Sequence, residues 1–138
     1  MLRYLPIICF VFISSALACE EKANDINNSL LGLKIEAFKS HQCDLVMVSG
    51  PAYMKGFPKL DKLVLVLKGR SNKGVPYFTT YINTVKAESG EQSGVVCVMK
   101  NDTIQLDIEA SYTSTIGNPK CSPPSYTFKN VQEQALGL

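Results

Sequence analysis

The chain has 138 residues, fourteen basic and twelve acidic side chains, one histidine, five cysteines and no tryptophan. A balance this close to neutral lacks the electrostatic footprint of a nucleic-acid binder. A hydrophobic content of 46% is too high for a chain that stays disordered.

The N-terminus predicts export. Arg3 gives a positive start, residues 5–13 are apolar apart from Pro6, and Ala16-Leu17-Ala18 is the small-x-small pattern of a cleavage site. The apolar run falls short of the roughly 20 residues that cross a bilayer. Residues 1–18 are therefore expected to be a signal peptide and residues 19–138 a single mature domain, secreted or, as the alternative, periplasmic. Once Cys9 leaves with the signal, Cys19, Cys43, Cys97 and Cys121 remain, an even set suited to an oxidising compartment. That parity favours a soluble chain over one lipidated at Cys19. Four cysteines allow three connectivities. The equal spacing of 19 to 43 and 97 to 121 points to Cys19–Cys43 and Cys97–Cys121, each closing a loop of about 25 residues worth roughly 3 kcal/mol.

Along the mature chain the dominant period is two. Leu31, Leu33, Ile35 and Ala37 alternate with more polar neighbours and predict a strand, with a helix capped by Ser29 as its rival. Residues 43–48 form a short β-branched run ended by Ser49-Gly50-Pro51. Residues 63–67 are continuous Leu and Val, as in a central strand. Residues 76–85 are rich in Tyr, Phe, Thr and Ile, and at least one face bearing Tyr77, Phe78 and Tyr81 is expected to be core. Residues 95–99 give another run. Ile104, Leu106, Ile108, Ala110 and Tyr112 then alternate with Gln105, Asp107, Glu109 and Ser111, a strand with one dry and one wet face. Lys100-Asn101-Asp102 between these two runs predicts a hairpin turn. A last strand is expected over 125–131, with a fraying tail from Gln132. About seven strands at short intervals predict an all-β, disulfide-braced sandwich of the immunoglobulin or fibronectin type III kind.

Few residues suggest chemistry. His41 stands two residues before Cys43, but an exported cysteine in an even set is expected in a disulfide, which leaves no thiolate nucleophile. One histidine and no close cysteine pair give no zinc spacing, so no metal or cofactor is expected. Asp107 and Glu109 stand about 7 Å apart along a strand and could serve a small hydrolase, though solvated residues on a wet face are the usual explanation for such a pair. Lys55, Lys59, Lys62, Lys68, Arg70 and Lys73, set against Asp61 alone, are either a patch for an acidic partner or the solvated edge of strand and loops. The Pro- and Gly-rich loop 51–58 places Tyr53, Met54 and Phe57 where aromatics and methionine serve a protein-binding surface or cap the sandwich end. Asn27-Asn28-Ser29 and Asn101-Asp102-Thr103 match the glycosylation pattern.

The export signal ending Ala16-Leu17-Ala18, four mature cysteines and about seven strands without tryptophan resemble the small secreted enterobacterial interleukin receptor mimic proteins. That resemblance implies a fibronectin type III-like fold, a domain-swapped homodimer and binding to host extracellular proteins, interleukins among them. It assigns no particular binding residue. The expected function is a secreted, non-enzymatic binding protein, with no nucleic-acid or membrane partner. A periplasmic accessory or pilus-type subunit is the alternative. A secreted protease inhibitor using loop 51–58 as bait, or the small hydrolase, is a further one.

Overall fold

A computed structural model describes residues 31–99, 103–115 and 125–136. The expected signal peptide, Cys19, Cys121 and both glycosylation asparagines lie outside the described residues. Among the described residues there are eight strands: β1 (Lys34–Phe38), β2 (Asp44–Gly50), β3 (Lys62–Ser71), β4 (Pro76–Ile82), β5 (Thr84–Lys86), β6 (Gln92–Val98), β7 (Ile104–Thr113) and β8 (Ser125–Phe128), followed by helix α1 (Val131–Leu136). They form two antiparallel four-stranded sheets of order β1-β2-β6-β5 and β4-β3-β7-β8. The all-β expectation holds, with one strand more than anticipated.

The period-two pattern places the core between the sheets. Leu63, Leu65 and Leu67 of β3 lie opposite Tyr112, Ala110 and Ile108 of β7, and all six are buried. Val46 and Val48 of β2 and Val98 of β6 face them from the other sheet. At roughly 25 cal/mol per Å² of apolar surface, each such side chain contributes about 1.5–3 kcal/mol.

Residues 76–85, expected as one strand, are two strands in different sheets. β4 follows β3 as far as the pair Leu65 and Ile82, then turns at Asn83 so that Thr84 pairs with Gly94 of β6. Gly94 makes the crossing fit: a Cβ there would stand 2.7 Å from Leu65, 3.0 Å from Ile82 and 3.1 Å from the Asn83 carbonyl. The Thr84 hydroxyl, donating to the Leu63 carbonyl at 3.3 Å, ties the crossing to β3. The hairpins on either side share one design. In residues 71–75 and 87–91 the first residue's N–H donates to the carbonyl of the fifth at 2.8 Å, and Gly74 and Gly90 take φ near +82° and +89°, the left-handed position of a three-residue hairpin loop.

Three further expectations are corrected. β6 and β7 belong to different sheets, so the connection around Lys100-Asn101-Asp102 is a crossing rather than a hairpin turn; residues 100–102 themselves lie outside the described residues. The last strand ends at Phe128, and the residues from Val131 form α1 instead of a frayed tail. α1 is held by tertiary contacts: Val131 is buried, while Gln132 donates to the Ile104 carbonyl at 2.6 Å and accepts from the Leu106 N–H at 2.9 Å. Finally, Cys43 is bonded to Cys97, not to Cys19. The pairing of Leu45 with Cys97 brings residue 43 diagonally beside Cys97 across two neighbouring strands. Sequence spacing carries none of that information.

Candidate functional site

The disulfide and α1 sit at one end of the sandwich. The other end gathers the exit of β2, the entry of β3, the 87–91 hairpin and the last residues of β7, and from it projects the β2–β3 connection, residues 51–61. That loop is held at every stage of its path. Pro51 accepts the Tyr112 hydroxyl at 2.7 Å. Gln92, buried at the start of β6, donates to the carbonyls of Ala52 (3.2 Å) and Asp61 (2.9 Å) and accepts the Leu63 N–H (2.9 Å). One amide thus clamps both ends of the loop, and its buried polar atoms are satisfied. Asp61 in turn accepts from the Thr115 N–H (3.0 Å) and hydroxyl (2.9 Å), and these bonds hold its carboxyl below the ordinary aspartate range.

Inside the loop the backbone folds on itself. The Met54 N–H donates to Leu60, the Phe57 N–H to Met54 and the Leu60 N–H to Phe57, each at 2.9 Å. Met54 is 2% exposed and belongs to the core. Of the two roles expected for it, partner surface or cap on the sandwich end, Met54 takes the second, because the turn directs this one side chain inward. Tyr53 and Phe57 remain 50% and 44% exposed, with exposed Lys55 and Lys59 beside them. The outcome is a hydrogen-bonded turn presenting two aromatics and two ammonium groups.

Tyr112 fixes the base of this end. Burial, and next the negative charge of Glu91, push its phenol up to about 12. The ring also explains Gly50, where a Cβ would lie 2.4 Å from the Tyr112 oxygen.

The other sequence candidates are placed as follows. Cys43 is in a disulfide, so it offers His41 no thiol to activate. Asp107 and Glu109 do share the outer face of β7, but each already holds a cation. Glu109 pairs with Lys68. Asp107 is only 7% exposed, correcting the solvated reading. It accepts from Arg70 Nε at 2.8 Å and from the Asn130 N–H at 3.0 Å. Burial pushes the Asp107 carboxyl up, but the Arg70 bonds and the Asn130 N–H outweigh it and hold it below its ordinary value. Asn130, at φ +50° between β8 and α1, also accepts from Arg70 at 3.3 Å. Two cations of the basic segment are thereby engaged within the sheet.

The aromatic group of β4 overturns its expectation. Tyr77, Phe78 and Tyr81 were to have at least one core face; they are 61%, 41% and 76% exposed. Phe78 leans over Gly69, where a Cβ would fall 2.2 Å from its ring. Sequence gave no warning, because an edge strand and a central one share the same aromatic and β-branched preference.

No helix of the described residues is long and apolar enough to cross a membrane. Comparison of the chain with protein-family models, with curated proteins and with solved structures finds no match in any of the three.

Proposed function

We propose that the protein is an exported binding module, in which the end loop 51–61 engages an extracellular host protein of the cytokine or cytokine-receptor class. The observation that carries this reading is the loop's construction: Tyr53 and Phe57 stand exposed on a turn whose root is fixed by Tyr112, Gln92 and buried Met54. Aromatic anchors on a preorganised support lose little freedom on binding. Lys55 and Lys59 favour a partner surface that is apolar at its centre and acidic at its rim. The disulfide supports the extracytoplasmic location. Secretion is part of the same proposal, as is the immunoglobulin or fibronectin type III type. Four hairpins alternating with crossings from β2 to β3, β4 to β5 and β6 to β7 support that type, since they give the Greek-key order of such sandwiches.

The test is binding of the purified, oxidised mature chain to an array of host extracellular proteins that includes cytokines and their receptors. Saturable binding abolished by Tyr53→Ala with Phe57→Ala supports the reading. Binding that survives both changes removes the loop from it, and no binding at micromolar concentration removes the proposal.

A further inference from the structure

β4 is the longest of the four strands at the sheet margins, and it bonds to β3 alone among the described strands. Its seven residues, Pro-Tyr-Phe-Thr-Thr-Tyr-Ile, contain no charge, and six of the seven are exposed. Exposed edges are ordinarily blunted by charge, proline, a bulge, shortness or a covering element; β4 has proline only at its first residue, Pro76, and a bulge only beside it at Gly69/Arg70, which leaves residues 77–82 without any of these. The other margins follow that rule: β1 carries Lys34 and Glu36, β5 has three residues and carries Lys86, and β8 has four residues and ends beside Lys129.

We infer that β4 pairs antiparallel with β4 of a second copy of this chain, joining the two β4-β3-β7-β8 sheets into one eight-stranded sheet. A two-fold axis normal to the sheet keeps side chains on their own face, so paired residue numbers must sum to an even value. Full overlap of the seven residues then puts the axis at Thr79. Tyr77 lies against Tyr81 of the other copy on the outer face, Phe78 lies against Thr80 on the opposite face, and Thr79 meets itself. The contact is isologous, as a closed dimer requires, and it brings no like charges together. Val75, Tyr77, Phe78 and Tyr81 leave roughly 500 Å² of side chain uncovered per copy, taking about 150–250 Å² for a full aromatic. Two copies bury at most about 1,000 Å² through these side chains, since edge pairing leaves both sheet faces open to solvent, and the paired backbones with Thr79 and Thr80 bring the contact towards the low end of the range of about 1,200–2,000 Å² found for specific interfaces. No segment is exchanged, so this dimer differs from a domain-swapped one. It is also independent of the loop proposal, since β4 and loop 51–61 are separate surfaces.

Sedimentation equilibrium of the oxidised mature chain between roughly 1 and 100 µM tests the pairing. The wild type is expected to dimerise. Thr79→Lys and Thr79→Glu, each placing like charges on the axis, are expected to be monomeric with unchanged far-UV circular dichroism. Thr79 is exposed and lies opposite Lys68, so a folding defect caused by one charge is not shared by the other. Mixing the two variants is expected to restore a dimer, because the opposite charges then face each other. A monomeric wild type overturns the inference, and so does a dimer that persists in both variants, as a domain-swapped one would. Failure of the mixture to associate overturns the register. Partner binding measured on the same variants reads the loop separately: a monomer that still binds leaves the proposed function intact.

Discussion

Raising the pH titrates one phenol that the fold keeps dry. Tyr112 is fully buried, donates to the Pro51 carbonyl and has its pKa pushed up to about 12, against about 10 in the unfolded chain. A folded pKa above the unfolded one contributes stability that is present in full below the unfolded value and is lost as pH climbs through the folded value. Two units correspond to about 2.7 kcal/mol, of which roughly 2 kcal/mol is gone by pH 12. Tyr112→Phe removes the titration and the hydrogen bond together. At neutral pH it should cost about 1–2 kcal/mol, the bond plus an unsatisfied Pro51 carbonyl. Wild type should thus begin more stable than the variant and meet it near the top of the pH range. Urea denaturation midpoints followed by circular dichroism at stepped pH measure both curves, and lysine titration common to the two proteins cancels in their difference. Parallel curves that never converge would refute the account of Tyr112. Because Tyr53 and Phe57 are untouched in this variant, any accompanying loss of partner binding reports the loop's preorganisation rather than its contact surface.

Other consequences can be measured on the same preparation. Met54→Ala should destabilise by about 2–5 kcal/mol, while Met54→Leu should cost under about 1.5 kcal/mol, both by chemical denaturation. Asp107→Asn leaves Arg70 without its carboxylate and should lower the denaturation midpoint near neutrality. The folded pKa of Asp107 is lowered, so its contribution is present above about pH 4 and lost as pH falls further; acid titration of the variant should therefore be flatter than that of wild type. Peptide mapping without reduction should recover Cys43 joined to Cys97. Since that bond closes a separation of 54 residues, Cys43→Ser with Cys97→Ser should lower stability by about 4 kcal/mol in the chain-entropy account. A Cys19–Cys43 peptide would contradict the fold.

The strands read most easily from sequence are those whose alternation is decided by the sheet they sit in. β7 shows it best: Leu106, Ile108, Ala110 and Tyr112 point inward as the period demands. Residues 76–85 carry an unbroken β signal, yet the chain changes sheets at Asn83 because Gly94, distant in sequence, leaves space for Leu65 and Ile82. α1 escaped notice for a related reason. Six residues are too few to show a helical period, and Gln132 and Val131 stabilise the helix through β7 and the core. In the loop, composition offered a partner surface and a sandwich cap alike and could not say which of three apolar side chains turns inward. That was settled by the hydrogen bonds joining Met54 to Phe57 and Leu60.

The distribution of charge across the β4-β3-β7-β8 sheet bears on both proposals. Its outer face is cross-linked by Lys68 with Glu109 and by Arg70 with Asp107, one strand away from an edge that has no charge at all. Had those cations been unpaired, they would stand beside Thr79 and the bulge at Gly69/Arg70 and repel their counterparts in a second copy. Paired internally, they leave β4 electrostatically quiet, and burial of Asp107 beneath Arg70 removes a carboxylate that could otherwise serve acid–base chemistry. The uncommitted lysines that matter are Lys55 and Lys59, at the far end beside Tyr53 and Phe57. The β3 cations that run alongside β4 are neutralised within the sheet, whereas Lys55 and Lys59 stand unpaired beside Tyr53 and Phe57. That division is the physical reason for assigning the two aromatic surfaces to different partners.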